Sequence, residues 1–259
     1  MRVLVCIKRV PAPGARINIT ADGQAVDTAF LGFTMSPHEE CAVEEAVQIV
    51  ERNGGTSTVL TLGPAEADEQ LRYAASLGVN EAILIPTNGS DWDAQRTATA
   101  IHEAIVAAEA TNGAFDVILF GNESADSGGF QVGIRVARKL ARPMVNGIKG
   151  ISFGNGADGA PIAIAKRESD GGHEIYHVPM PAVLGVKEGI NLPRYPTMKG
   201  RLSSKKVVVA QHAADPALGG QQLVTLQRPP EQASRTVVLG TGVEAAPAIV
   251  DLLVELGLA

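Results

Sequence analysis

The sequence predicts an α/β protein built on an open parallel sheet, with helices on both faces. The segment 1–140 alternates short apolar runs with longer helical patterns, and this alternation is typical of parallel strands joined by helices. The run at 2–6 is continuous, short and rich in valine, as expected of a strand buried on both faces. The chain has 259 residues, of which 45% are hydrophobic, and it can therefore bury a sizeable core.

Four strand–helix pairs are predicted in this first part. The first helix opens at Ser36-Pro37, a cap residue followed by a proline suited to the first helical position. Its acidic residues, Glu39-Glu40 and Glu44-Glu45, are interpreted as a solvated face and as partners of the helix dipole. The strands are expected at 2–6, 56–62, 81–86 and 116–120, and the helices at 37–53, 66–77, 91–112 and 130–140.

The pattern changes after residue 143. Short β-like runs are separated by Asn-Gly and Asp-Gly turns, which predict added antiparallel strands or hairpins. Residues 211–232 are interpreted as an extended linker and 243–257 as a terminal helix. We therefore expect a main domain at 1–228 and a C-terminal arm at 229–259. The added strands are expected at 144–153, 161–166, 174–178, 182–186 and 206–209, and the apolar face of the terminal helix at Ile249, Leu252, Leu253 and Leu256.

Composition disfavours several classes of protein. The net charge is −6 and aromatic residues are only 4%, which argues against nucleic-acid binding. Two cysteines, Cys6 and Cys41, cannot build a disulfide framework or a thiolate zinc cluster. We find no apolar run long enough to span a bilayer, and Lys8 and Arg9 interrupt the first one. The expectation is a cytoplasmic protein without a membrane span.

Candidate catalytic groups do not form a recognisable constellation. The five histidines lack the His-Glu-x-x-His spacing, and His173 with His177 is interpreted as a solvated or structural pair rather than as metal ligands. Cys6 is expected to be a small core residue. The absence of a nucleophile–base pair favours binding or carrier work over hydrolysis, so we expect neither an enzyme nor a metal site.

The most informative segment is 121–133, which joins a predicted strand to a predicted helix. Its four glycines allow close backbone approach, and the helix start offers free N–H groups to a phosphate. Asn122, Asp126 and Gln131 could bind a ribose or a base. A plain turn is the alternative. The triplet Ser127-Gly128-Gly129 is also found in ATP pyrophosphatases, but there it follows the first strand, which disfavours an adenylate-transferring enzyme.

Five stretches, in order, resemble the β subunit of electron-transfer flavoprotein. RVLVCIKRV is similar to the first strand of that family, SPHEECAVEEAV to its Asn-Pro helix start, and LTLGPAEADEQLRYAASLGVNEAILI to its Gly-Pro strand end with the following helix and strand. Segment 121–133 resembles its adenine-nucleotide loop. Pro-Ala-Val at 181–183 and NLPRYPT at 191–197 resemble two further motifs. The match extends from residue 2 to about 209.

The resemblance implies a nucleotide-binding fold like that of universal stress proteins and adenine-nucleotide α-hydrolases. It also implies a heterodimer whose α subunit carries most of the FAD site. The nucleotide of the β chain would be a structural AMP, or a second FAD as in electron-bifurcating members. The pocket carried over from the family comprises Cys6, Ser36, Pro37, His38, Glu39, Leu62, Ser124, Ala125, Asp126, Ser127, Gly128, Gly129, Phe130, Gln131, Val132, Gly133, Ile134 and Arg135.

This chain departs from the family's usual loop at three points. Asp126-Ser127-Gly128 stands where an Asp-Asp-Asp run is common, and Phe130 replaces a small polar residue. Val132 replaces threonine, as in some bifurcating members. Outside the loop, Pro13 stands where some members have an aromatic residue near the flavin. These departures leave the identity of the bound nucleotide open between AMP and FAD.

The resemblance also implies redox partners. Flavin-dependent dehydrogenases would donate electrons, and a membrane quinone oxidoreductase would accept them. The docking segment (residues 195–206) would present one apolar anchor, Met198, flanked by Lys199 and Arg201, although an ordinary exposed methionine is the alternative. The terminal helix would clasp the α subunit or, alternatively, pack on its own sheet. A stress-type nucleotide-binding regulator would need only the segment 1–140.

Overall fold

The computed structural model describes residues 1–90, 92–215, 220–230 and 236–259. The described chain divides into two units, Met1–Thr225 and Leu226–Ala259. The elements of the first half are β1 (Arg2–Ile7), β2 (Val10–Pro11), β3 (Asn18–Ile19), β4 (Val26–Asp27), β5 (Phe33–Thr34), α1 (Pro37–Asn53), β6 (Thr56–Gly63), α2 (Asp68–Leu77), β7 (Glu81–Pro86), α3 (Ala94–Asn112), β8 (Val117–Gly121) and α4 (Val132–Lys139). The elements of the second half are β9 (Met144–Asn155), β10 (Pro161–Ser169), β11 (Gly172–Pro179), β12 (Ala182–Val186), α5 (Met198–Ser204), β13 (Val209–Gln211) and α6 (Ala246–Glu255).

Nine strands form one sheet in the order β11-β10-β9-β12-β8-β1-β6-β7-β13. The neighbouring strands β9-β12-β8-β1-β6-β7-β13 run parallel to one another. β10 and β11 extend the sheet beyond β9 as an antiparallel hairpin. The remaining short strands form two small ribbons, β2 with β5 and β3 with β4. The predicted α/β class with a mainly parallel sheet is confirmed.

The sheet is buried on both faces. Successive residues of β1 alternate between two apolar clusters: Val3 and Val5 join the cluster under α1 and α2, and Leu4 and Cys6 join the cluster under α3 and α4. This double burial explains why β1 reads as a continuous apolar run. It also places the carboxyl ends of the parallel strands at one edge, where ligands bind in open α/β sheets.

The prediction that the added segments are antiparallel strands or hairpins is wrong for β12 and β13, which pair only in parallel, and for one of the two edges of β9. β12 pairs in parallel with β8, with Ala182 opposite Val117, and β9 pairs in parallel with β12. Every residue of β12 is buried, as in a central parallel strand. The predicted strand at 206–209 is also displaced, because helix α5 precedes it and the strand itself is β13.

The interpretation of the α1 acids as a solvated face is wrong for three of the four, whereas Glu40 is partly exposed. The exposed fractions of Glu39, Glu44 and Glu45 are 5%, 2% and 4%. The helix itself begins and ends as predicted, with Ser36 as N-cap, Pro37 in the first turn and Gly54 after its last residue. A mostly buried helix needs partners for its charges. Some of these partners lie on α1 itself, such as Arg52 for Glu45, and others come from distant segments, such as Arg194 for Glu44.

The second unit contains a 3₁₀ turn at Gly242–Ala245 followed by α6. Pro247 lies in the first turn of α6, where its missing N–H costs no hydrogen bond. The expected apolar face, Ile249, Leu252, Leu253 and Leu256, is exposed. None of the described helices is long and apolar enough to cross a membrane.

Candidate functional site

The start of α1 and the end of β8 meet at the carboxyl edge of the sheet. A side chain at Gly121, the last residue of β8, would place its Cβ 2.7 Å from Cγ of Glu39 and 3.3 Å from Cβ of His38. Only glycine therefore allows this approach. The contact brings two of the predicted pocket segments together, namely residues 36–39 and the loop 122–131 that leaves β8 (the β8–α4 loop).

Glu39 is the buried carboxyl group of this site. One of its oxygens accepts a hydrogen bond from the backbone N–H of Ser36 at 3.2 Å, and the backbone N–H of Lys8 also donates to it. Burial raises the pKa of Glu39 to about 7, although these hydrogen bonds and the charge of Lys8 act to lower it. The carboxyl group thus ties the end of β1 to the start of α1.

His38 joins the β8–α4 loop to the chain that leaves β12. Its Nδ1 accepts a hydrogen bond from the backbone N–H of Glu188 at 2.7 Å, and its Nε2 lies 3.4 Å from a carboxylate oxygen of Glu123. Because Nδ1 accepts, the neutral imidazole carries its proton on Nε2, facing that carboxylate. The Ser36 hydroxyl donates to the carbonyl oxygen of Glu123 at 3.4 Å.

A charge pair joins the chain that follows β1 to the β8–α4 loop. The Nζ of Lys8 binds a carboxylate oxygen of Asp126. Burial acts to raise the pKa of Asp126, but the Lys8 charge and hydrogen bonds hold it below its ordinary value, so this carboxylate is ionised near neutral pH. Within the loop, the hydroxyls of Ser124 and Ser127 lie 2.9 Å apart.

The end of the β8–α4 loop has an unusual backbone and open space beside it. Gly128 and Phe130 both have φ near +53°, a conformation that is unfavourable for a bulky residue such as Phe130. A Cβ at Gly129 would meet no described atom within 4 Å. The loop is exposed, and α4 begins at Val132, two residues later than predicted. A ligand could therefore approach the backbone N–H groups at the start of α4.

Gly133 and Arg135 have different roles in α4. A Cβ at Gly133 would lie 3.1 Å from the ring of Phe120 and 3.0 Å from Cε of Met144, so this glycine seats the helix on the sheet. The guanidinium of Arg135 is exposed and donates to Oε1 of Gln131 at 3.0 Å. Ile134 is exposed beside it. Arg135 is therefore a cation available to an anionic ligand at this end.

Two of the predicted pocket residues lie in the core beneath the site. Cys6 is buried, and desolvation, followed by the charge of Glu39, raises the pKa of its thiol. The thiol is therefore neutral and unreactive. Leu62 packs against the same cluster as Cys6, on the face of the sheet covered by α3 and α4. These residues could form an apolar wall, whereas Ser36, His38, Glu39 and Asp126 supply the polar groups.

The pocket carried over from the family leaves out Lys8 and Glu123, although both lie in segments that follow predicted strands. Lys8 is the first charged residue after β1, and that position at a strand end was the available signal. Among the described residues, no group of three His, Cys, Asp or Glu side chains could hold a metal ion. His173 and His177 are exposed on β11, in line with their interpretation as a solvated pair.

The docking segment forms a separate feature. Thr197 caps α5 by accepting a hydrogen bond from the backbone N–H of Gly200 at 3.0 Å. Met198 is 77% exposed and Tyr195 is 90% exposed, although both are large apolar residues. Lys199 and Arg201 are exposed on the same short helix. The predicted anchor and its flanking cations thus share one exposed element.

Comparison with known proteins places these features in a family. A model of the electron transfer flavoprotein domain matches residues 26–217. The chain is 33% identical to electron transfer flavoprotein subunit beta of Syntrophomonas wolfei over 90% of this chain and 88% of that protein. It is 31% identical to the Bacillus subtilis subunit of that name, over 85% and 86% of the two chains.

A third relative has a different name. The acryloyl-CoA reductase electron transfer subunit gamma of Anaerotignum propionicum is 27% identical over 98% of both chains. The family model covers well over half of the chain, and the similarity to the Syntrophomonas wolfei protein extends over most of both proteins. The chain belongs to the electron transfer flavoprotein β-subunit family.

Proposed function

We propose that this chain is the β subunit of a heterodimeric electron-transfer flavoprotein of the bacterial cytoplasm. It is an electron carrier rather than an enzyme in its own right. With its α subunit it takes electrons from flavin-dependent dehydrogenases and passes them to a membrane quinone oxidoreductase. The observation that carries this proposal is the family match across 26–217, which spans most of the sheet, the β8–α4 loop and the docking segment together.

An adenine nucleotide fits the residues at the carboxyl edge. The backbone at Gly129 leaves room for a phosphate before the N-terminus of α4, and Arg135 adds a positive charge. The Asp126 carboxylate and the Ser124 and Ser127 hydroxyls suit ribose hydroxyls. We propose that AMP binds here as a structural nucleotide, held by residues 124–135 with residues 36–39, and that the α subunit carries most of the FAD site.

A second candidate is an electron-bifurcating β subunit that binds a second FAD in the same pocket. Two observations favour it: Val132 in the sequence Gln-Val-Gly, and the similarity to the acryloyl-CoA reductase electron transfer subunit gamma over nearly the whole chain. Mass analysis of the nucleotide extracted from the purified heterodimer distinguishes the two. A stress-type regulator is disfavoured, because it would need only the segment 1–140.

Co-purification tests the carrier function. The chain is co-expressed with the α subunit encoded in the same genome, and only this chain carries an affinity tag. We expect a yellow heterodimer whose FAD is reduced by a flavin-dependent dehydrogenase and its substrate. A chain that purifies alone and colourless, with saturating nucleotide bound, would support the regulator instead.

We further propose that residues 229–259 form the arm that docks on the α subunit. The support is the exposed apolar face of α6, which would be an aggregation hazard without a partner. A chain truncated after Pro230 should keep its fold and its nucleotide but lose most of its α subunit or FAD during purification. A truncated chain that still yields a stoichiometric, flavin-loaded heterodimer would contradict this role.

A further inference from the structure

Arg194 lies between two carboxylates of helix α1. Its Nε and one terminal nitrogen bind the two oxygens of Glu44 at 2.8 and 3.0 Å, and the terminal nitrogens bind the two oxygens of Glu51 at 2.7 and 2.9 Å. The backbone N–H of Arg194 also donates to Glu44 at 3.2 Å. Such two-pronged pairs fix the orientation of a guanidinium as well as its position.

Burial of Glu44 makes its half of this clamp costly to break, whereas the Glu51 half is exposed. Glu44 is 2% exposed, and its second polar partner is the side-chain amide of Gln48 at 2.7 Å. Burial acts to raise the pKa of Glu44, but hydrogen bonds from Arg194 and Gln48 hold it below its ordinary value. A buried carboxylate that loses its cation is strongly destabilised, so the chain at 194 cannot easily leave α1.

Asn191 adds a second link to the same helix. Its side-chain amide donates to the carbonyl oxygen of Cys41 at 3.1 Å and to a carboxylate oxygen of Glu45 at 3.1 Å. Glu45 is also buried. Residues 191–194 are thus attached to α1 immediately before the docking segment begins.

The far end of the docking segment is held by α2. Arg72 donates to the carbonyl oxygen of Ser204 at 3.1 Å while binding Asp68 on its own helix at 2.6 Å. A Cβ at Gly200 would lie 2.2 Å from the carbonyl oxygen of Ser76, so α5 rests directly on the α2 backbone. Between these attachments Tyr195, Met198 and Leu202 are exposed.

We propose that Arg194 is a positioning residue for redox-partner docking: its clamp on Glu44 and Glu51 holds the docking segment in its binding conformation before the dehydrogenase arrives. This inference rests on the proposed role of Met198 as an anchor. Ordering a mobile side chain or loop on binding weakens affinity by roughly twofold to tenfold per group. A segment attached at both ends avoids that cost, which suits an interface that must form quickly and dissociate.

The test uses the flavin-loaded heterodimer and a flavin-dependent dehydrogenase that reduces the wild-type protein. Arg194→Met should raise KM for the heterodimer roughly tenfold while kcat stays within about twofold. Reduction by dithionite, which needs no docking, should be unchanged. Hydrogen exchange of amides 195–204 should become faster in this variant. Unchanged KM together with unchanged exchange would overturn the proposal.

Two further variants keep the test decisive. Arg142→Met removes a comparably buried ion pair, to Glu109 at 2.8 Å, which lies outside the docking segment. It should leave KM and exchange at 195–204 unchanged. Glu51→Gln loosens half of the clamp without leaving a buried charge, and should raise KM roughly twofold to threefold even if Arg194→Met folds poorly. An Arg142→Met effect as large as that of Arg194→Met would overturn the proposal.

A double variant separates this inference from the docking proposal itself. If Arg194 acts by positioning Met198, then adding Arg194→Met to Met198→Ala should raise KM by much less than it does in the wild-type protein. Fully multiplicative effects would overturn the positioning role. If Met198→Ala alone has no effect, the anchor assignment fails, whereas the exchange measurement still reports whether the clamp orders residues 195–204.

Discussion

The β8–α4 loop and the docking segment are both exposed, yet they are held in opposite ways. The loop has room beside Gly129, a positive φ at Phe130 and a charge pair between Asp126 and Lys8, which follows β1. The docking segment is attached near both ends through arginines. Arg194, just before the segment, binds carboxylates of α1, and Arg72 of α2 binds the carbonyl oxygen of Ser204. This contrast agrees with the two proposed roles, because an open loop could gain contacts from a small ligand, whereas a segment held at both ends suits a protein partner.

Helix α1 contacts both regions, and the pKa values of its carboxyl groups shift in opposite directions beside the two. Glu39, beside the loop, is held mainly by backbone N–H groups, and burial raises its pKa to about 7. Glu44, beside the docking segment, is bound by Arg194, and its pKa is lowered although burial opposes this. One helix therefore presents a weakly compensated carboxyl group to the proposed nucleotide site and a fully paired carboxylate to the proposed protein-docking site.

The largest expected effect comes from filling the open space in the loop. Gly129→Asp should reduce nucleotide retention by more than about 100-fold, because the new carboxylate crowds and repels the phosphate. The fold should be unaffected, since a Cβ at this position meets no described atom within 4 Å and φ is not left-handed. Nucleotide content and thermal unfolding are the measurements. Gly129→Ala is the matched control, and stoichiometric nucleotide in Gly129→Asp would contradict the loop assignment.

The second effect tests the raised pKa that distinguishes Glu39 from Glu44. A carboxyl pKa raised from 4.5 to about 7 means that the folded state binds more protons than the unfolded state between these values. The free energy of unfolding should therefore fall as pH rises through this window, by at most about 3 kcal/mol from this group. Glu39→Gln should remove that fall. Urea unfolding of both proteins at pH 5 and pH 8 measures it, and a difference between them that does not change with pH would contradict the buried, weakly paired state of Glu39.

The third effect concerns the proposed protein-docking segment. Met198→Ala should slow reduction by the dehydrogenase roughly tenfold at limiting heterodimer concentration, because truncating a central apolar anchor commonly costs more than about 1 kcal/mol. Flavin and nucleotide content should stay normal, since the side chain is exposed and distant in sequence from the loop. Val208→Ala, also exposed, serves as the control. Unchanged transfer kinetics would remove Met198 from the interface.

The smallest effect tests the strain in the loop. Asparagine tolerates a positive φ better than phenylalanine, so Phe130→Asn should raise the free energy of unfolding of the nucleotide-free protein by about 0.5–1 kcal/mol. Ala141 has the same φ after α4, and Ala141→Asn should stabilise the protein similarly without changing nucleotide retention. Equilibrium urea unfolding provides both values. If Phe130→Asn instead lowers the free energy of unfolding, the packing of the Phe130 ring outweighs the strain of its backbone.

Local signals predicted the first half of the fold well. The ends of α1 were predicted from Ser36-Pro37 and Gly54, and the bounds of β7 from the apolar run at 81–86. Both predictions succeeded because caps and periodicity are encoded by neighbouring residues. The site segments at 36–39 and 121–133 were also found, since strand ends and glycines mark them. Their assignment to a nucleotide came from the family resemblance and stays a prediction.

The errors arose where partners are distant in the chain. Glu44 looked solvated because its cation, Arg194, lies 150 residues away. β12 looked like part of a hairpin because nearby Asp-Gly turns are visible in the sequence, whereas its pairing with β8 is not.

Helix α5 was missed for a different reason. It has seven residues and follows two prolines, so it shows no helical period.

The nucleotide content of the purified heterodimer tests the central claim most directly. The protein is denatured in acid, and the released small molecules are identified and quantified by mass spectrometry against the protein concentration. We predict one AMP per β chain in addition to one FAD per heterodimer. Two FAD molecules and no AMP would identify the bifurcating alternative. A β chain that releases no adenine nucleotide of its own would contradict the assignment of the β8–α4 loop as its nucleotide site.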